Sequence, residues 1–254
     1  MRDQGDLLRL ANSLSAHGFL TLPSQEKELE QLMGDEGKIL FVLEEVASKK
    51  VIGSSLIVAR HGTPVSPHLY FQVDPLRRTL QLKFETKGRT ELGGLILDPA
   101  YRGGKLGKKL SYVRLYYLAQ HPKGFQNDIL AELLPPFNPD GSSLLWEALG
   151  KKFTGMEYRD ADQRAREDKQ FVRDHFPAHE ILIDSLPHEA QLILGQPGPE
   201  TKAVAKMLME VGFHYLDQID PFDGGPHYGA KQEEIKQDLV RDVLFSETKV
   251  KIEI

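Results

Sequence analysis

The chain contains no cysteine. That excludes disulfides, thiolate metal sites and a cysteine acyl-enzyme, and it fits a reducing cytoplasm. No apolar run approaches the ~20 residues of a membrane span. The opening MRDQGDLL carries acids and lacks the apolar region of a signal peptide. Positive charge is not in excess: 32 Lys and Arg against 37 Asp and Glu leave a net charge of −5, so a nucleic-acid polyanion is not the expected partner. Internal repeats and low-complexity linkers are absent too. What is there is a globular balance, 40 % hydrophobic and 27 % charged over 254 residues, long enough for a full core.

The most informative segment runs from Leu95 to Leu110, LILDPAYRGGKLGKKL. An apolar strand ends at Asp98-Pro99, a turn carries Arg102, Gly103, Gly104, Lys105 and Gly107, and a helical pattern follows with Leu106, Leu110, Val113 and Tyr117 on one face. Strand, glycine-bearing basic turn and helix make an anion cradle: main-chain N–H groups at the helix start point at the anion, and glycines permit close approach. Arg102, Lys105, Lys108 and Lys109 fit a small anionic ligand. It is not a P-loop, because Gly103 and Gly107 have three residues between them and Lys108 is followed by Lys109 rather than Ser or Thr. The dinucleotide spacing also fails.

Around this segment the sequence alternates strands and helices, which argues an α/β or α+β fold. Helices are expected over Asp6–Ala16, Gln25–Leu32, Lys105–Ala119, Leu144–Lys152 (capped by Ser142 or Ser143), Arg159–His175, Pro187–Leu194, Pro199–Val211 and Gln232–Val243. Strands are expected over Ile39–Val46, Val51–Arg60, Leu69–Val73, Leu80–Phe84, Thr90–Leu97, Asp128–Leu134, Phe213–Ile219 and, by alternation, Thr248–Ile254. Gly93-Gly94 inside a strand predicts a bulge.

The turn resembles the acyl-CoA-binding turn of the GNAT N-acyltransferases, Arg/Gln-x-x-Gly-x-Gly/Ala. Arg102 and Gly107 match, and Lys105 stands at the middle glycine. Longer segments resemble the arginine N-succinyltransferase family of that superfamily: GFLTLPSQEKELEQ (Gly18 to Gln31), ELGGLILDPAYR (Glu91 to Arg102), LLWEALGKKFTGMEYRDAD (Leu144 to Asp162), PHEAQLILGQ (Pro187 to Gln196) and VGFHYLDQIDPFDGGP (Val211 to Pro226). The resemblance implies a single GNAT-like domain over 1–254, with a central mixed sheet flanked by helices. It also implies succinyl transfer from succinyl-CoA to the α-amino group of arginine, in arginine catabolism. Leu95 falls where the family binds succinyl-CoA, and the pyrophosphate would lie on Arg102, Gly103, Gly104, Lys105, Leu106, Gly107 and Lys108. No metal is expected. Three departures are visible. Gly198 occupies the family's proton-donor histidine position, and neither a strand before RDQGDLLRL nor the family's β-rich part after FDGGP is found in the sequence. They keep open two other readings: a degenerate CoA-binding or partner subunit, and an acyltransferase for another amine. Homo- or hetero-oligomerisation is left open.

Amine acylation needs a proton acceptor, donors for an oxyanion and a site for the cationic amine. Glu132, an acid inside the apolar run ILAELL, must find a partner and is the candidate base; solvent exposure or a structural arginine would explain it equally. Asp223 in FDGGP suits a guanidinium or amine, or else closes an Asx turn. His227, expected in the loop after FDGGP, is the candidate replacement for the missing histidine, although loop histidines are mostly surface residues. His175, His179 and His188 lack metal-ligand spacing. Trp146 and Tyr158 read as core.

Overall fold

The structure, a computed structural model, describes residues 3–14 and 22–246. The alternating segment expected at 248–254 lies outside the described residues. Lys38–Glu44 (β1) and Val51–His61 (β2) form an antiparallel hairpin, as do His68–Asp74 (β3) and Thr79–Glu85 (β4). Arg89–Leu97 (β5) lies antiparallel to β2, and Asp128–Glu132 (β6) runs parallel to β5. Parallel neighbours need a crossover, supplied here by the helix after the glycine turn. Ile181–Leu182 (β7), His214–Ile219 (β8) and Pro226–Lys231 (β9) complete one sheet, in the order β1-β2-β5-β6-β9-β8-β3-β4-β7. Among the described residues only β5 and β6 run parallel, so the sheet is mixed, as expected.

Helices Gln4–Leu14 (α1) and Glu26–Met33 (α2) pack Leu7, Leu10 and Leu29 on Val51 and Ile96. Leu106–Gln120 (α3) packs on the sheet with Lys202–Glu210 (α8) and Gln237–Phe245 (α9). The helix expected from Leu144 is capped by Ser143, whose Oγ accepts from the Trp146 N–H at 3.0 Å; it passes through a π turn over Trp146–Gly150 into Lys151–Thr154 (α4). The single helix expected over Arg159–His175 is two, Tyr158–Glu167 (α5) and Gln170–His175 (α6). Asp168 breaks it by accepting the Gln170 N–H at 2.8 Å. His188–Ile193 (α7) follows. Trp146, Tyr158, Ala161 and Ala165 pack with Phe171 and Phe222 in the core under β3 and β4, as read for Trp146 and Tyr158.

Strand β9 is the main element the sequence does not announce. It lies centrally between β6 and β8, where Pro226 takes the first position and Gly229 lies against Leu216, so close that a Cβ would come within 2.8 Å. Its side chains do not alternate in polarity because both faces are covered.

The sheet is strongly curled. Four strands separate β2 from β3, so a flat sheet would hold them about 24 Å apart, five strand spacings. Yet the rings of His61, ending β2, and His68, opening β3, lie 4.7 Å apart. That curl builds the site.

Candidate functional site

The bulge predicted at Gly93-Gly94 is present. Ser54 pairs with Ile96 and Leu56 with Gly93, so two steps on β2 oppose three on β5. Gly94 has φ +57°, and a Cβ there would sit 3.0 Å from that of Leu56. Two buried side chains pin the bulge: Ser54 Oγ donates to the Gly94 carbonyl at 3.1 Å, and Arg114 Nη1 donates to the Gly93 carbonyl at 3.0 Å. Burial lowers Arg114 to about 9, with Glu91 opposing. The β5–β6 ladder is restricted to Thr90–Ile129 and Glu91–Leu130. Beyond it lies a cleft of about 430 Å³, lined on the β5 side by Gly93, Gly94 and Leu95 and on the β6 side by Ala131 to Leu134.

The glycine turn stands beyond the β5 end of this cleft. Gly103, Gly104 and Lys105 are all left-handed, with φ of 100°, 54° and 64°. A position where a glycine would be free of strain is thus held by a lysine. Lys105 precedes the first turn of α3, whose N–H groups have no carbonyl inside the helix to bond. Leu106, Leu95 and Leu97 all pack against Leu43, Ile52 and Leu110, and Gly107 lies beside Leu97. Arg102 is ion-paired with Glu200 at 2.9 Å, and Lys108 with Glu210. Lys109 is not part of the cradle. It is buried, donating from Nζ to the carbonyls of Leu244 and Ser246 at the end of α9.

At the β6 side the cleft meets a cluster of histidines and acids. Glu132 Oε1 lies 2.9 Å from His68 Nε2 and 3.5 Å from His61 Nε2. His61 Nδ1 lies 2.9 Å from Glu91, a buried acid. Burial works against charge on His61, but Glu91 and Glu132 outweigh it and push the imidazole up to about 9. His227 is directly opposite Glu132 in the β6–β9 register and stacks on His68 at 5.2 Å. Burial pushes His227 down to about 3 and lowers His68, against the pull of Glu132 on both. Burial also works against charge on Glu132, and the surrounding imidazoles override it, holding the carboxyl below its usual range. The partner that Glu132 demands is therefore neither solvent nor arginine but histidine. His227 is not a loop residue; it is fully buried in a central strand. His61, His68 and Glu91 gave no signal in the sequence: Glu91 meets His61 across the β2–β5 ladder, and His68 joins them only where the sheet curls.

Asp220, Asp223 and Asp162 line the cleft near this cluster. Asp223 does close an Asx turn, accepting the Gly225 N–H at 2.7 Å. Asp220 accepts from the N–H groups of Phe222 and Asp223, at 2.7 and 3.0 Å. Burial, reinforced by Glu132, pushes Asp220 up to about 7; burial, reinforced by Asp220, raises Asp223 well above its usual range. Such acids are poised to receive a cation. Gly198 lies against the 135–136 segment, where a Cβ would come 2.5 Å from the Pro135 carbonyl oxygen. This backbone has no room for a histidine there.

A mixed sheet opened at a bulge between parallel neighbours, with a glycine-bearing turn and helix beyond, places the protein among the GNAT-type acyl-CoA N-acyltransferase folds. It shares that fold, at a TM-score of 0.76, with arginine/ornithine succinyltransferase subunit AI from Pseudomonas aeruginosa (24 % identity, over 96 % of this chain and 76 % of that one). Residues 1–237 match the family model described as arginine N-succinyltransferase beta subunit, and the chain belongs to the arginine N-succinyltransferase family. It is similar to the arginine N-succinyltransferase of Yersinia enterocolitica, 32 % identical over 95 % of this chain and 76 % of that protein. It is likewise 32 % identical to that of Enterobacter sp. strain 638, over 88 % and 72 %. Among the described residues, no helix is long and apolar enough to cross a membrane.

Proposed function

We propose that the protein transfers the succinyl group of succinyl-CoA to the α-amino group of arginine. One observation carries this reading: the opened β5–β6 cleft runs from the bulge at Gly94 and Leu95 to Glu132 and the acids beyond it. The thioester end would lie against Gly94 and Leu95, which have no partner in the ladder on either side. Their main chain is the source of donors for the carbonyl oxygen. The pyrophosphate would rest on the turn from Arg102 to Lys108, with Arg102 and Lys108 exchanging their glutamate partners for phosphate oxygens. Asp220 and Asp223 would receive the cationic part of the acceptor. Glu132, backed by His68 and His227, accepts the proton that the amine loses as its nitrogen bonds to the acyl carbon. The carbon–sulfur bond breaks and CoA leaves as its thiolate, which a thiol pKa near ~8.5 permits without an acid, so Gly198 need not be replaced by another proton donor.

The test mixes protein, succinyl-CoA and L-arginine and follows free thiol, to which the cysteine-free chain adds no background. Arginine-dependent release is expected, falling at least ~100-fold in kcat in Glu132→Gln. Gly198 and the left-handed Lys105 favour a second reading, a subunit that binds CoA without turnover. CoA binding without thiol release would establish that reading instead.

A further inference from the structure

The cluster at the inner end of the cleft is unusual in its donors. His61, His68 and Glu132 each bring one ligand-type atom within 4.8 Å of the others. The measured edges, 2.9 Å from His68 Nε2 and 3.5 Å from His61 Nε2 to Glu132 Oε1, bracket the ~3.3 Å separation of two donors bonded to a tetrahedral ion at ~2.0 Å. The cluster is also short of partners. Both ring nitrogens of His68 and Glu132 Oε1 are buried with no well-directed hydrogen bond, although His68 is only 3 % exposed. Buried polar groups are rarely left so. The far side of His61 is occupied: its Nδ1 contacts the buried Glu91, leaving Nε2 turned to Glu132. A carboxylate behind a histidine is the arrangement that orients imidazoles on metals. The cleft supplies an entry path and leaves one side of the cluster open.

We infer that His61, His68 and Glu132 form a binding site for one divalent transition-metal ion of the zinc class, with Glu91 as the outer carboxylate orienting His61. Two imidazoles and one carboxylate, with no thiolate available in the chain, suit Zn²⁺, Co²⁺ or Ni²⁺ rather than a soft Cu⁺ or a hard, all-oxygen Ca²⁺ or Mg²⁺. His227 stacks on His68 and fixes its ring plane. Sequence spacing does not reveal this site because its ligands come from the end of β2, the start of β3 and the end of β6.

The inference does not rest on acyl transfer, and its test is independent of it. Untagged, chelator-treated full-length protein is titrated with Co²⁺ and then Zn²⁺. One Co²⁺ per chain is expected, with visible absorption of a low-coordinate N/O site that Zn²⁺ abolishes by displacement. His61→Gln and His68→Gln should remove the absorption, while Glu91→Gln should retain it with affinity weakened ~10–100-fold. Far-UV circular dichroism checks each variant. Should buried His68→Gln not fold, the more exposed His61 carries the test. Absence of a saturable Co²⁺ signal in the wild type, or one unchanged in His61→Gln, overturns the site.

Discussion

Gly198 stands where the family resemblance implies a histidine. Its Cβ would collide with the Pro135 carbonyl, so restoring a histidine by Gly198→His is expected to destabilise the chain by about 1–3 kcal/mol without raising turnover; thermal melts and the thiol assay check both. Asp220 makes a second prediction. With its carboxyl pushed up to about 7, it is largely protonated at pH 6 and ionised at pH 8. The ionised form attracts a cation and the protonated form does not. The KM for arginine is therefore expected to fall as pH rises from 6 to 8, and Asp220→Asn should flatten that profile. A profile unchanged by the variant would remove Asp220 from acceptor binding. The sequence singled out Glu132 and Asp223 because an acid in an apolar run and an acid before Gly-Gly both need explaining. It did not single out Asp220, which looks like an ordinary turn acid until its burial is seen.

The turn between β5 and α3 was legible from its glycines, and the backbone is left-handed at Gly103 and Gly104. What the pattern did not reveal is that Lys105 is left-handed too. Lys105→Gly should hold or raise the melting temperature, whereas Gly104→Ala should cost about 1 kcal/mol although nothing crowds its Cβ. Opposite effects of these two substitutions in denaturant titrations would place the strain in the backbone rather than in contacts. The bulge in β5 was also legible, from Gly93-Gly94, but its anchor was not: Arg114, a charged residue within α3, is fully buried. In Arg114→Met, relief from burying a guanidinium offsets lost hydrogen bonds, so stability should change little. The Gly93–Leu95 amides should nonetheless exchange faster, with kcat reduced tenfold or more. Strand β9 escaped because patterning reads polarity, and a strand covered on both faces shows none. The predicted long helix after Arg159 failed for the opposite reason: its polarity suited a helix throughout, while the local bond from Gln170 to Asp168 ended it.

Across the molecule, the mixed sheet and its helices followed from alternation and from the family resemblance, whereas the histidine cluster followed from neither. His61 and His68 are brought together with Glu132 by curl, a property of the assembled sheet rather than of any segment. If the cluster binds Zn²⁺, Glu132 cannot ligate the ion and accept a proton at once. Added Zn²⁺ should then inhibit acyl transfer, and a chelator should restore it. The sheet order carries one more implication, for the timing of synthesis. The centre of the sheet is closed by β9, which joins β6 to β8 and includes residues up to Lys231. A ribosome that has released β1 to β6 has made two groups of strands with nothing between them. His227 cannot face Glu132 until nearly the whole described chain has emerged. The growing polypeptide is thus expected to stay inactive to a late point, with unpaired edges on β6 and β3 that depend on rapid completion or on chaperones.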